Sequence, residues 1–454
     1  MDWTNLSDLK YHYTKLIRKY GVNQGPMFSR IESIRKQIEK LQTSNKIPSQ
    51  IVKHSFTSSE YKLKPKQFSL YFSEKANMKI CIITIEKTLN VAKGITIDDE
   101  IMEKNLRNIG LYNIETQPIS LQNIDGFMKK INLEYDLYIL NEFFCKQLFE
   151  VILLHGKHVL FIPNIDSYST FKPTVKNRVD DFHDELLYLS SRYTNLSIGC
   201  KTKQIEFWMK SWEIPNLYYL HFQNNLQSSP IEQINFKTTV KEPILLDTGT
   251  SISRRKYLRE IIHVFQYNPS IPFHLIIKTT PNVYTKFLEN LEINQENITI
   301  FNSFEKEESG MDKYYKNIKY FIYLSKFDGY GLSLSKAIQY GMFIFCLNGQ
   351  PWNELLENYP RKCFIKCYQD LSKTMGNSKK GYALSQIYYK ADFVDFKEKV
   401  SILKPYENII QSSVEETNFH NVFNTTIFHM NLYYFFKNVF KDDDPSFYES
   451  SIGI

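Results

Sequence analysis

Two short groups of residues have the types and spacing to bind a negatively charged ligand. The first is the segment DGYG, residues 328–331, whose two glycines let the backbone approach a ligand and direct N–H groups at it. The second is the basic run of Arg254, Arg255 and Lys256. Cations at the start of a predicted helix oppose its positive end, which is unfavourable unless an anion lies there. Together the two groups predict a phosphate site, although a packing turn and a solvated helix face would explain each group alone.

The elements around DGYG must place it at a ligand-binding edge. The segment YFIYLSKFDGYGLSLSKAIQYGMFIFCL, residues 320–347, reads as strand, glycine turn, helix and strand, which is a βαβ unit. Its right-handed crossover places the turn at the carboxyl edge of a parallel sheet, where ligands bind in open α/β folds. The helix that begins at Leu332 adds a positive end that favours phosphate, and Asp328 can accept hydrogen bonds from ligand hydroxyls.

These residues resemble the signature of glycosyltransferase family four, whose members have the two-domain GT-B fold. The acid-Gly-aromatic-Gly-Leu part of that signature corresponds to residues 328–332, and its later alanine and glycine correspond to Ala337 and Gly341. The resemblance covers about residues 78–370, with its specific motifs in 243–347. It implies transfer of a sugar from a nucleotide-sugar donor to an unidentified glycan, protein or lipid acceptor, with retention of anomeric configuration and without a cofactor or essential metal.

The resemblance also implies roles for individual residues. Asp328 would hold the hydroxyls of the donor sugar, and Lys256 would neutralise the departing diphosphate, so these two are the predicted catalytic residues. The predicted donor- and phosphate-binding residues are Gly249, Arg255, Lys278, Gly329, Tyr330, Gly331, Leu332 and Lys336.

Two positions depart from the family pattern. The second glutamate of the family's pair, which holds the ribose of the donor, falls on Lys336, and the arginine of its Gly-Arg motif falls on Thr250. Lys336 would contact phosphate, pair with Asp328, or lie exposed on a helix that no longer binds ribose. These departures favour a second hypothesis, a catalytically inactive GT-B-like protein that binds a nucleotide sugar or serves as a scaffold.

The alternation of strands and helices predicts two Rossmann-like, doubly wound α/β domains behind an N-terminal helical extension. The predicted boundaries are 1–75 for the extension, 76–225 for the acceptor domain, 226–242 for a linker, 243–400 for the nucleotide-sugar domain, and 401–454 for C-terminal helices. In GT-B proteins such closing helices cross back to the first domain. Asp166 and Lys201 each follow a predicted strand and are the acceptor-side candidates, although a lone Asp is more often a cap.

The two ends of the chain leave alternatives open. An apolar stripe from Ile31 to Leu41 predicts a helix lying on the body of the protein, with a homodimer contact as the alternative. The aromatic stripe over 428–440 predicts a core helix, with a helix on a membrane surface as the alternative.

Composition limits the class of protein. At 454 residues with 43% hydrophobic residues, the chain can build two cores, and its net charge of +7 is spread along the sequence. That charge suits a phosphate-bearing ligand, and we expect no nucleic-acid partner because no helix-turn-helix, zinc finger or basic tail is visible. The scattered cysteines, the start of the chain and the lack of an apolar run of about 20 residues predict a cytoplasmic protein without a transmembrane segment.

Overall fold

A computed structural model describes most of the chain between residues 71 and 440. The described residues are 71–86, 93–120, 123–142, 144–163, 179–223, 241–248, 256–280, 284–285, 288–289, 291–293, 296–302, 308–326, 328, 330–369, 389–402 and 409–440. All of them belong to one compact unit formed by Leu63–Ser378 and Ala383–Ile454.

The first half of this unit is built on a parallel sheet. Within the described residues it has six strands in the order β2-β1-β3-β4-β5-β6. Their bounds are β1 Ile80–Ile85, β2 Ile114–Ile119, β3 Leu137–Asn141, β4 His158–Ile162, β5 Leu196–Cys200 and β6 Leu217–Tyr219. The intervening helices are α1 Lys93–Asn108, α2 Ile124–Met128, α3 Lys146–Leu154, α4 Val179–Arg192 and α5 Lys203–Ser211. The central strands are buried along their whole length because helices cover both faces, as parallel sheets require.

The second half is built on another parallel sheet. Its described strands follow the order β12-β11-β10-β7-β8-β9. Their bounds are β7 Glu242–Asp247, β8 Phe273–Lys278, β9 Ile298–Phe301, β10 Tyr320–Tyr323, β11 Phe343–Leu347 and β12 Lys362–Ile365. The helices of this half are α6 Leu258–Gln266, α7 Glu308–Asn317, α8 Leu332–Gln339 and α9 Trp352–Leu355. If β7 is numbered 1 and the later strands follow in chain order, this order becomes 6-5-4-1-2-3. It is the Rossmann strand order 3-2-1-4-5-6 viewed from the opposite edge.

The end of the chain returns to the first half. After an antiparallel pair, β13 Cys367–Gln369 and β14 Tyr389–Ala391, come α10 Phe393–Ile402 and the long helix α11 Ile409–Val439. His429 of α11 contacts Asn105 of α1 through Nε2 and Oδ1, 2.9 Å apart, and the Asn431 side chain donates to the Leu220 carbonyl. The Phe428 ring packs on Phe222 at 5.3 Å. The predicted aromatic stripe is therefore buried on its Phe428, Leu432, Phe435 and Phe436 side.

The predicted fold class, two doubly wound α/β sheets, is confirmed. Neither α1 nor β2 was predicted from the sequence; β2 reads IETQPI, an edge strand with mainly partly buried and exposed residues. β6 ends at Tyr219, and His221, two residues further on, adopts a left-handed backbone with φ of 51°. The C-terminal helix begins at Ile409, well before the aromatic stripe.

Several predictions lie outside the described residues. These are the extension up to residue 70, most of the linker, and the individual residues Asp166, Gly249, Thr250, Arg254, Arg255 and Gly329. Among the helices that are described, none combines the length and the apolar character that crossing a membrane requires.

Candidate functional site

The strand order of the second sheet defines where its ligand crevice lies. β7 pairs with β8 on one side and with β10 on the other. The strand order therefore reverses direction between β7 and β10, which is the switch point of this sheet. Ligands of open α/β sheets bind outside the carboxyl ends of the two strands at such a switch point. Asp247 ends β7 and Tyr323 ends β10. Lys256, Asp328 and Gly331 follow these two strands, so the topology brings the described residues of the two predicted anion-binding groups to one edge.

The turn after β10 is shaped by Gly331 and Tyr323. Gly331 is the N-cap of α8 with a left-handed φ of 86°, a conformation that favours glycine. A Cβ at this position would lie 2.9 Å from the Tyr323 hydroxyl, so the close approach also requires glycine. The Tyr323 hydroxyl donates to the Asp328 carboxylate. This bond orients Asp328 beside a helix start that lacks a side-chain cap.

Lys256 reaches across the switch point. Its Nζ donates to the Asp247 carbonyl and to the Ser333 hydroxyl, each at 3.0 Å, and lies 5.1 Å from the centre of the Tyr323 ring. Ser333 is in the first turn of α8. A cation from the loop after β7 therefore lies beside the positive end of the helix after β10. Two positive features held together favour an anion between or beside them.

Two further lysines are buried at the same edge. Lys278 ends β8, is 3% exposed, and places its Nζ 5.6 Å from the Tyr314 ring. Lys336 is 8% exposed, with its Nζ 5.5 Å from the ring of Tyr315. The Tyr315 hydroxyl donates to the Asp247 carboxylate at 2.7 Å. The interpretation of Lys336 as a solvent-exposed residue is therefore wrong.

Among the described side chains at this edge, lysines outnumber aspartates. Three lysines, at 256, 278 and 336, lie with two aspartates, at 247 and 328, and the positive end of α8 adds to the lysines. Such an excess favours a negatively charged ligand. Within the part of the chain that the structure describes, no cluster of three or more His, Cys, Asp or Glu side chains could hold a metal ion.

The first sheet has its own switch point, between β1 and β3, and acidic residues gather there. Lys201, at the end of β5, is 1% exposed; its Nζ contacts the Asp98 carboxylate and lies 2.9 Å from Glu142 Oε1. Glu142 follows β3 with a left-handed φ of 59°. Beside them, the Asn141 amide donates to Asp99 Oδ1 at 2.6 Å. The structure thus encloses Lys201, the acceptor-side candidate, between two carboxylates.

Burial dominates the protonation of this acidic cluster. It raises the pKa of Asp99 to about 7, against the hydrogen bonds from Thr84 and Asn141. It also raises the pKa of Asp98, which the neighbouring ammonium partly opposes. For Lys201, burial acts to lower the pKa, but Asp98 and Glu142 outweigh it and raise the pKa above its ordinary value. The cluster therefore keeps its lysine charged and favours protons on Asp98 and Asp99.

A carboxylate of the second half caps a helix of the first. Glu354 of α9 accepts a hydrogen bond from the backbone N–H of Lys203, at 2.8 Å, and one from the Tyr219 hydroxyl, at 2.6 Å. Lys203 begins α5, so the carboxylate lies at the positive end of that helix. Tyr219 also contacts His221 Nδ1 at 2.7 Å. Burial raises the pKa of Glu354 to about 7, although both hydrogen bonds and Lys203 oppose it.

Several residues that shape these sites were not predicted from the sequence. Tyr323 and Tyr315 lie in apolar or aromatic stretches and resemble ordinary core residues. Asp98 and Asp99 follow one another in the sequence TIDDE. Two adjacent aspartates among regularly spaced apolar residues are the one local sign that α1 has charged side chains on its buried face. Nothing local distinguishes Glu354, because its partners belong to the other half of the chain.

Comparisons with known proteins give similarity in fold only. No protein-family model and no curated protein matches the sequence. The apo form of the lipopolysaccharide outer core galactosyltransferase WaaB is 11% identical, covering 78% of this chain and 99% of that one with a TM-score of 0.47. An alpha,alpha-trehalose 6-phosphate synthase from Burkholderia multivorans is 9% identical, covering 80% and 96% with a TM-score of 0.48.

A third solved structure, the GtfA/B complex, is 12% identical, with 71% of this chain covered and a TM-score of 0.46. This chain spans only 61% of that protein's chain. At such identities, function has to be argued from the site itself.

Proposed function

We propose that this protein transfers a sugar from a nucleotide-sugar donor to an acceptor, with the diphosphate of the donor bound at the switch point of the second sheet. The observation that carries this proposal is the contact between Lys256 and the first turn of α8. It joins a cation and a helix N-terminus at the edge where α/β sheets bind ligands. The resemblance of residues 328–332 to the family-four signature supplies the chemistry.

The geometry supports stabilisation of a leaving diphosphate. When the bond between the anomeric carbon and the diphosphate oxygen breaks, the diphosphate gains negative charge. The Lys256 amine and the N–H groups at the start of α8 would lie against that charge without having to rearrange, which is how preorganised donors lower a barrier. At an effective dielectric of about 20, one unit charge at about 4 Å contributes roughly 4 kcal/mol. Asp328, oriented by Tyr323, would hold hydroxyls of the donor sugar.

Lys336 is the reason to consider a second candidate function, binding of a nucleotide sugar without turnover. A lysine has three donors and no acceptor, so it cannot accept hydrogen bonds from ribose hydroxyls as a carboxylate does. The ammonium is buried beside Tyr315 and, through it, Asp247. It is therefore placed to bind an acceptor atom, such as a phosphate oxygen, near the ligand. Weak or altered nucleotide recognition is expected in either function.

Two measurements on the purified full chain separate these functions. The first is release of a nucleoside diphosphate from a panel of sugar nucleotides, with and without simple glycan acceptors. The second is the thermal stability of the protein with each nucleoside diphosphate, since a ligand that binds only the folded state raises the melting temperature. Release together with stabilisation supports transfer, and stabilisation without release supports the binding protein. If no sugar nucleotide releases a diphosphate and no nucleoside diphosphate stabilises the protein, both candidate functions are contradicted.

A further inference from the structure

A continuous series of side-chain contacts joins the two switch points. Lys201, held by Asp98 and Glu142, places its Nζ 5.3 Å from the centre of the Phe222 ring. The Phe222 ring in turn meets the Tyr330 ring edge-on, with centroids 5.4 Å apart and planes at 90°. Tyr330 belongs to the turn that precedes α8.

Phe222 is fixed on the side of the first sheet. It follows β6, its backbone N–H donates to the Lys201 carbonyl at 3.2 Å, and its side chain is 1% exposed. Phe428 of α11 packs on the same ring at 5.3 Å. A lysine over its face, a backbone bond and a neighbouring aromatic ring leave Phe222 little freedom to move.

Tyr330 connects the Phe222 ring to the predicted diphosphate site. Its side chain is 3% exposed, and its hydroxyl lies 3.1 Å from the Ser335 hydroxyl, one turn into α8. The next residue is Gly331, the N-cap of that helix. Because the Gly331 amide is adjacent to Tyr330 in the chain, a displacement of Tyr330 would also move the N–H groups predicted to bind the diphosphate.

We propose that Phe222 is a positioning residue for the donor turn, 328–331, acting through Tyr330. The expected effect on diphosphate binding rests on the proposed function, because the turn is where the diphosphate would bind. Its physical basis is independent of that function, since one ring of the first half fixes a turn of the second. Hydrogen bonds from backbone amides weaken when the amides are misplaced by a fraction of an ångström, so loosening the turn weakens anion binding.

Ordinary core packing is the competing explanation, and Phe149 provides the matched control. Phe149 of α3 is fully buried, and it packs on the rings of Phe144 and Phe161 at 5.1 and 5.3 Å. It belongs to the first half, like Phe222, but lies in the other hydrophobic cluster and does not contact the donor turn. Phe222→Leu and Phe149→Leu each remove one buried ring while leaving an aliphatic side chain. Phe222→Met provides a second variant of about the same volume as leucine, with a longer and more flexible side chain that can adapt to the space of the ring.

Two readouts on the full chain test the proposal. The first is the dissociation constant of the nucleoside diphosphate that stabilises the wild type best. We expect Phe222→Leu to weaken it about tenfold, with Phe222→Met intermediate, and Phe149→Leu to leave it within about twofold. The second is hydrogen exchange of the amides at 331–335, which needs no ligand. We expect faster exchange there in both Phe222 variants than in Phe149→Leu, when compared at equal distance below each melting temperature.

The two readouts distinguish failure of this inference from failure of the proposed function. If the wild type binds no nucleoside diphosphate, the proposed function is contradicted, and exchange at 331–335 still decides the role of Phe222. If the Phe222 variants match Phe149→Leu in exchange, the positioning role is overturned whatever the binding shows. A loss of affinity as large in Phe149→Leu as in Phe222→Leu overturns it too, because general destabilisation would then account for the effect.

Discussion

The Lys256 amine lies 3.0 Å from the Ser333 hydroxyl, which joins the loop after β7 to the first turn of α8. These segments are 77 positions apart in the sequence, and only the switch point of the second sheet brings them together. The contact places the Lys256 ammonium beside the backbone donors at the start of α8. An incoming phosphate can replace the hydroxyl as the partner of the ammonium, since charge-assisted hydrogen bonds are the stronger ones.

The first prediction concerns Lys256. We expect Lys256→Met to weaken binding of a nucleoside diphosphate by about 10- to 100-fold, since a hydrogen bond to a charged group contributes about 1.5–3 kcal/mol. Wild-type affinity should also fall as salt rises, whereas the variant should depend less on salt. Isothermal titration calorimetry at two salt concentrations measures both effects.

Lys241 offers a matched control at the opposite edge of the same sheet. Its Nζ donates to the Pro269 carbonyl and to Asn297 Oδ1, each at 2.7 Å, so it also bridges one backbone and one side-chain oxygen. Lys241→Met should leave affinity and salt dependence unchanged. Equal losses in the two variants would show that Lys256 has only a structural role.

The second prediction concerns Gly331. We expect Gly331→Ala to abolish measurable binding of nucleoside diphosphates, because the new Cβ would meet the Tyr323 hydroxyl in addition to the strain at a φ of 86°. Gly156→Ala is the control, since its φ of 71° is strained but nothing lies within 4 Å of the added carbon. Both variants should lose about 1 kcal/mol of stability from the backbone alone.

The steric contribution to this effect can be tested by removing the hydroxyl group that the alanine Cβ would contact. In Gly331→Ala combined with Tyr323→Phe, the hydroxyl that the added carbon would meet is absent, so part of the lost stability should return. Tyr323→Phe alone should reduce sugar transfer by freeing Asp328. Melting temperatures and titrations of the four variants check this, and additive losses in the double variant would contradict the steric account.

The third prediction concerns pH and Glu354. Its pKa in the folded chain is about 7, above the ordinary 4.5, so the folded state retains a proton where the unfolded state has lost it. The resulting stabilisation is complete below about pH 4.5 and is lost as pH rises to about 7. Gln does not titrate, and its carbonyl oxygen can still accept one of the two hydrogen bonds that Glu354 accepts.

We therefore expect the stability of Glu354→Gln relative to wild type to increase from pH 4.5 to 7, by up to about 3 kcal/mol. The groups facing Glu354 are Lys203 and Glu206 of α5 with Tyr219. Denaturant unfolding across this pH range measures the difference. Glu103→Gln, which removes a surface partner of Arg107, is the control for loss of a carboxylate. If the free energies of unfolding of Glu354→Gln and wild type differ by the same amount at every pH, the raised pKa of Glu354 is contradicted.

The parts of the molecule with strong local signals were predictable from the sequence. The βαβ unit over 320–347 combines aromatic strands, a glycine turn and a glycine stop, all within one short segment. α1 and β2 were missed because their burial depends on distant partners: β2 lies at a sheet edge, and α1 places charged residues inside. The partners Lys201 and Asp98 are 103 positions apart, so no local pattern reveals them.

The last prediction tests that ion cluster. Lys201→Met leaves Asp98 and Glu142 buried without their cation, and we expect a loss of about 3–5 kcal/mol at pH 8. The loss should be smaller at pH 5, because the neighbouring ammonium lowers the pKa of Asp98 and its removal raises that pKa further. Such groups stabilise the folded state at low pH and cease to do so as pH rises.

Lys210→Met is the control, since Lys210 pairs with Glu206 on the surface and such pairs contribute less than about 1 kcal/mol. Adding Asp98→Asn to Lys201→Met removes one of the two buried acidic side chains that Lys201 contacts, so part of the loss at pH 8 should be recovered. Urea unfolding midpoints at both pH values measure these differences. A loss in Lys201→Met that is the same at pH 5 and pH 8 would show that packing, not charge, holds this end of the first sheet together.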